Sequence, residues 1–200
     1  MASEATALEG GALQADLDLA RRLQQADQSA YAQLCQRFGP ALHGFAASCL
    51  GGDDELAEEV MIQTMTDAVR NIRRFDPRKA GLATWLYGIA RRQVVAQRRK
   101  LTRRKSVPRS AQVSMDVTSE LPAAGDLAGD LAARVDAHQQ VAFLSEALSD
   151  LEMQVLILHC VDEFSLKEIA RIVRRSEKAV DSLLHRARQK ARERLAQDAE

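Results

Sequence analysis

The stretch SLKEIARIVRRSEKAVDSLLHRARQKARERL, residues 165–195, decides the fold. Ser165, with Glu168 three residues on, is a capping box: a hydroxyl and a carboxylate that satisfy the free N–H groups of a helix start. Ile169, Ala170 and Ile172 follow at helical spacing, so a short helix is expected, ending in a turn over Val173 to Arg175. Ser176 then caps a longer helix. Its Val180, Leu183, Leu184 and Ala187 point inward, and Arg186, Arg188, Lys190, Arg192 and Arg194 are left for solvent. Two such helices on so short a turn form a helix-turn-helix candidate, whose second helix enters the major groove of DNA.

Working outward, Leu144, Leu148, Leu151, Val155 and Leu158 continue the helical period upstream. From Ser106 to about Gly129 the period fails among Val107-Pro108, Leu121-Pro122 and Gly125, so this segment reads as a flexible linker. Before it, a long helix is expected from Leu82 to about Lys105, with Leu82, Trp85, Leu86 and Ile89 on one side. Trp85 could be a stacking platform for a base, but its place in that stripe makes it a core residue. Another helix, capped by Asp53 and Asp54, carries an apolar stripe of Ile62, Met65, Val69 and Ile72 and ends at Phe75-Asp76-Pro77. Asp27 caps a run with Tyr31, Leu34 and Phe38 that Gly39-Pro40 should close; a separate helix from Ala41 to Leu50 should stop at Gly51-Gly52. Residues 1–14 read as disordered. The expected fold is all-α: two small helical domains, residues 15–105 and 131–200, joined by a linker over 106–130.

The 28 basic and 28 acidic side chains cancel, yet they are segregated along the chain. Residues 70–109 hold 14 basic side chains against one acidic, Asp76, and residues 165–200 hold 10 against 6. The acidic excess lies before and between them, with 11 acidic and 3 basic in 1–69 and 10 and 1 in 110–164. Such a layout suits a chain that meets DNA at two places. The six cations among Arg98, Arg99, Lys100, Arg103, Arg104 and Lys105 repel one another unless phosphate is near.

No catalytic residues, metal ligands or cofactor are expected. His43, His138, His159 and His185 are dispersed, and there is no glycine-rich phosphate loop. Cys35, Cys49 and Cys160 form no CxxC pair and read as small buried hydrophobes in a reducing, cytoplasmic setting. No run approaches a membrane span, so membrane insertion is not expected.

Residues 148–195, with the opening S-x-x-E-I-A and the closing H-R-A-R, resemble region four of the extracytoplasmic-function sigma factors, a group of the sigma-70 family. The stretch AEEVMIQTMTDAVRNIRRFDPRKAGLATWLYGIARRQ resembles region two of the same family, above all in FDP followed by WLYGIAR. Two motifs in the family's order are more specific than either alone. The resemblance implies a sigma factor, not an enzyme, that binds core RNA polymerase, recognises promoter DNA and helps open it; an anti-sigma factor is left open as a further partner. It implies core-polymerase contacts at Glu55, Glu58, Glu59 and Gln63. Minus-ten DNA is assigned to Arg73, Arg74, Lys79, Thr84, Arg91, Arg92, Arg98 and Arg99. Minus-thirty-five DNA is assigned to Arg174, Arg175, Ser176, Lys178, Asp181, Ser182, His185, Arg186 and Arg188. Departures are clear: Ile62-Gln63 stands where a Gln-Glu pair is usual, Arg92 and Ala96 where Asn and Asp are usual, and Lys178 to Leu183 replace Gly-Thr-Val-Lys-Ser-Arg. Promoter sequence therefore cannot be copied from relatives. Two other classes compete: a simple regulator using the helix-turn-helix alone, which FDP…WLYGIAR opposes, and a sigma-like decoy, which would not need both basic blocks.

Overall fold

The computed structural model describes residues 14–105, 144 and 147–198. The expectations for residues 1–13 and for the linker over 106–130 lie outside them. The described residues are helical: α1 (14–24), α2 (Gln28–Cys49), α3 (Asp54–Asn71), a 3-10 turn (Ile72–Arg74), α4 (Leu82–Lys105), α5 (Asp150–Cys160), α6 (Leu166–Val173) and α7 (Glu177–Asp198). Helices α1 to α4 make a first bundle and α5 to α7 a second.

Several starts are as the sequence predicts. Asp27 accepts from Ser29 N at 2.8 Å and Asp53 from Leu56 N at 3.0 Å, capping α2 and α3. Hydrogen bonds from Ser29 and Arg22 hold the Asp27 carboxyl down at about 2. After α2 the chain reverses through Gly51 and Gly52, at φ 75° and 81°, a left-handed turn that a side chain would oppose.

Pro40 does not end a helix. It lies inside α2, which runs unbroken from Gln28 to Cys49. The bond lost at proline costs stability, but Leu34 and Phe38 before it and Leu42 and Phe45 after it are all buried in one core. Breaking the helix there would turn one of these pairs outward. Burial outweighs the local signal.

Helix α1, which the sequence reading did not separate from its surroundings, inserts Leu19, Ala20 and Leu23 into the same core. Its buried Asp16 reaches across to accept from Leu82 N at 3.2 Å, capping α4 from a distance, and pairs with Arg37 at 2.8 Å. The stripe of α3 is also rotated from expectation. Ala57, Val60, Met61, Met65 and Ala68 face inward, while Ile62 is 48% exposed.

In the second bundle both expected features of α6 are present: Ser165 and Glu168 form the capping box, and Ile169, Ala170, Ile172 and Val173 are buried. Arg174 closes α6 in the left-handed region at φ 56°, with Arg175 N bonded to Ala170 O at 3.0 Å. Helix α5 is buried on every side from Glu152 to Leu158, because α7 covers one flank and the first bundle the other. The two bundles thus share one continuous core.

Candidate nucleic-acid interface

Helix α7 has the form needed for a recognition helix. Val180, Leu184, Ala187 and Ala191 are buried against α5 and α6. At 100° per residue, Lys178, Ser182 and His185 fall on the opposite side, with Asp181 at its margin, and all four are exposed. Ser176 caps the helix, accepting from Ala179 N at 3.3 Å. Asp181 makes no ion pair with Lys178 or His185 among the described residues, which leaves its carboxylate able to accept from a cytosine amino group. Arg174, Arg175, Arg186 and Arg188 flank this face and are exposed.

A buried carboxylate, overlooked in the sequence, holds α7 in place. Glu152 is 5% exposed, closes a second capping box with Ser149, and pairs with Lys190 at 2.8 Å and Arg186 at 3.7 Å. Its burial pushes the carboxyl up, but the bonds from Lys190 and Ser149 outweigh that and bring it to about 2. Since the folded value lies below the ordinary 4.5, Glu152 stabilises the fold above about pH 4.5, and that contribution is lost as pH falls towards 2. Urea midpoints measured across this window should fall with pH in the native protein. In Glu152→Gln the slope should be shallower, and an identical slope would remove Glu152 as its source. The S-x-x-E spacing of Ser149 and Glu152 was the available signal.

The cationic surface of the first bundle divides into two parts. Arg73, Arg74, Lys79, Arg92 and Arg99 are exposed, with Lys79 loosely paired to Asp76 at 3.5 Å. Thr84 is buried against the second bundle, and Arg91 and Arg98, each half-buried, bond to it. Thr84 is 4% exposed and donates to Glu168 Oε1 at 3.3 Å. Arg91 donates from Nε to Gln154 Oε1 at 2.9 Å. Arg98 donates to the Cys49 carbonyl at 2.7 Å, satisfying the end of α2, and pairs with Asp150 at 2.7 Å. Burial, and then Arg174 and Arg175 nearby, lower the pKa of Arg91. Trp85 packs against the core as expected, its ring centroid 5.6 Å from that of Phe75, and is half-buried.

On α3, Glu55, Glu59 and Gln63 are exposed and Glu58 half-exposed, with Ile62 among them. The Glu59–Lys100 pair, at 3.9 Å and with both side chains 58% exposed, adds little. Of the cysteines, Cys49 is buried and its thiol is pushed far up by burial, Cys35 is half-buried, and Cys160 is exposed, contrary to expectation. No group of metal-binding side chains and no helix long and apolar enough to cross a membrane occurs among the described residues.

The model of Sigma-70 region 2 matches residues 34–104, which hold α3, α4 and most of α2, and that of Sigma-70 region 4 matches residues 138–190, which hold α5, α6 and the first part of α7. The chain belongs to the extracytoplasmic-function sigma factors of the sigma-70 family. It is similar to the sigma factor SigW of Bacillus subtilis, 26% identical over 88% of this chain and 94% of that protein. It is also similar to the sigma factor RpoE of Cereibacter sphaeroides, 35% identical over 37% of this chain and 40% of that one. Among solved structures, CnrH in complex with the cytosolic domain of CnrY has a TM-score of 0.66 and 27% identity, covering 92% of this chain and 99% of CnrH. The sigma factor RpoE of Bartonella quintana, in complex with the anti-sigma factor NepR, shares the fold with a TM-score of 0.58 and 24% identity over 82% and 95%. This sigma factor thus has the all-α, region 2 and region 4 architecture that its sequence predicts.

Proposed function

We propose that this sigma factor docks on core RNA polymerase through the exposed ridge of α3, engages the minus-ten element with α4 and the loop before it, and reads the minus-thirty-five element with α7. RNA polymerase then catalyses, while this chain supplies selection and strand opening. The observation that carries the reading is α7 itself, with polar, hydrogen-bonding side chains on one face and a buried apolar stripe on the other. Unpaired bases need cations along the backbone, which Arg73, Arg74, Lys79, Arg92 and Arg99 supply in exposed positions. The reading places the chain in the bacterial cytoplasm, where polymerase and promoters are. The complex of the Bartonella quintana sigma factor RpoE with the anti-sigma factor NepR supports an anti-sigma factor as a further partner.

In-vitro transcription with core polymerase on a promoter library tests this. Transcripts should start downstream of one shared pair of upstream motifs; start sites independent of the added chain would end the proposal. The docking ridge has its own test, motivated by its acidic rim and by exposed Ile62. Glu58→Lys with Glu59→Lys should weaken capture of core polymerase by about tenfold or more, since like-charge juxtaposition costs several kcal/mol. Ile62→Asp should cost about 1–2 kcal/mol as an apolar anchor. Unchanged capture with unchanged helix content would mean that α3 does not dock.

A further inference from the structure

We infer that Asp16 of α1 is a positioning residue for the minus-ten loop: by holding the N–H of Leu82 it fixes where the segment Phe75 to Gly81 ends, and so where its cations stand. The inference rests on the reading of that loop as a part that engages the minus-ten element. Helix α1 lies outside residues 34–104, the part of the first bundle that matches Sigma-70 region 2. It is nonetheless built into the frame of the loop. Leu19, Ala20 and Leu23 seat α1 in the core, and Asp16, one turn before Leu19, brings its carboxylate Oδ2 to 3.2 Å from Leu82 N.

Gly81, the residue before α4, has no side chain to cap the helix, so its first N–H must be met from elsewhere. A cap from a neighbouring residue would tie the helix start to its own loop. A cap from 66 residues away ties it to another helix. Arg37 of α2 stands 2.8 Å from Oδ1, an ion pair without a directed hydrogen bond, so α1, α2 and α4 meet at one carboxylate. For stability alone an apolar side chain would serve as well, because it avoids the cost of taking charge out of water. What the carboxylate adds is direction. The far end of the loop is fixed too: Phe75 is buried, with its ring 5.6 Å from that of Trp85. Asp76 folds the segment back, its side chain accepting from Arg78 N at 3.1 Å and its carbonyl from Lys79 N at 3.0 Å. Between exposed Lys79 and buried Leu82 lie Ala80 and Gly81, so a displacement of Leu82 carries Lys79 with it. Unpaired bases are captured by cations and faces set at fixed places, and a misplaced loop slows that capture without weakening the hold on duplex DNA.

Holoenzyme assembled from core polymerase and the full chain, on a promoter recovered from the library, provides the test. Opening is followed by the fluorescence of 2-aminopurine in the minus-ten segment. Asp16→Ala should slow the isomerisation from closed to open complex by about tenfold, with capture of core and initial promoter affinity unchanged. A loss of stability alone would lower the amplitude, through fewer active molecules, and leave this unimolecular rate as it was. Asp16→Asn keeps an acceptor for Leu82 N and should retain most of the native rate. Amide exchange at Leu82, faster in Asp16→Ala than in Asp16→Asn, reports the bond itself. Arg37→Ala, at an exposed site, provides a variant that folds regardless and should slow isomerisation by about two- to threefold. Unchanged rates in Asp16→Ala and Arg37→Ala would overturn the inference, as would a rate in Asp16→Asn as low as in Asp16→Ala. The reading of the loop is judged separately: Arg73→Ala with Lys79→Ala should slow opening whatever Asp16 does. If that pair opens the promoter at the native rate, the loop does not engage the minus-ten element and the inference falls with it.

Discussion

Lys178→Ala and Asp181→Ala are each expected to change which upstream sequence this sigma factor prefers, at about 1–3 kcal/mol for each lost base contact. Both side chains are exposed in the first turns of α7, the part of a recognition helix that faces base edges. Arg188→Ala should behave differently. An exposed cation at the flank holds phosphate, so its loss should weaken binding to all promoters and reduce the salt slope by about one. Arg186→Ala should resemble it but with a cost to folding as well, because Arg186 also faces the buried carboxylate of Glu152 at 3.7 Å. Promoter-library selections on the single variants separate the two sets. If the preferred upstream motif is the same in Lys178→Ala, Asp181→Ala and the native chain, α7 does not read bases through these residues.

Phe45→Ala should lower the unfolding free energy by about 3–5 kcal/mol, a large part of the 5–15 typical of a domain. Its ring is fully buried in the last turns of α2 and meets Tyr87, which in turn meets Phe164 of the second bundle. The cavity would therefore open beside the contact between the bundles, and the two should lose stability together in urea titrations followed by circular dichroism. A loss below about 1 kcal/mol would show that neighbouring side chains collapse into the space.

Local chemistry was readable where a single residue type decides the outcome. Caps at Asp27, Asp53, Ser165 and Ser176 and the turn at Gly51-Gly52 follow from hydrogen-bonding and φ preferences that act over a few residues. Pro40 shows the limit of such reasoning. Its cost is local, but it is outweighed by the burial of Leu34, Phe38, Leu42 and Phe45, which depends on what packs against α2. Ile62 shows the same limit: apolar identity suited a core stripe, whereas the rotation of α3 against α2 and α4 left it outside.

By itself, the sequence determined the helical class, the two family regions and the outward polar face of α7, because periodicity and capping need no partner. Only the tertiary structure decided that Thr84, Arg91 and Arg98 bond to the second bundle and that one core runs through both bundles. One hint was present in the contiguous apolar run Val155 to Leu158, which a helix can bury only if it is covered on more than one side. What covers it could not be read from the run. A donor such as Arg91 looks the same in sequence whether its acceptor is a phosphate or the amide oxygen of Gln154, 63 residues away, and only the packing of α4 against the second bundle distinguishes them.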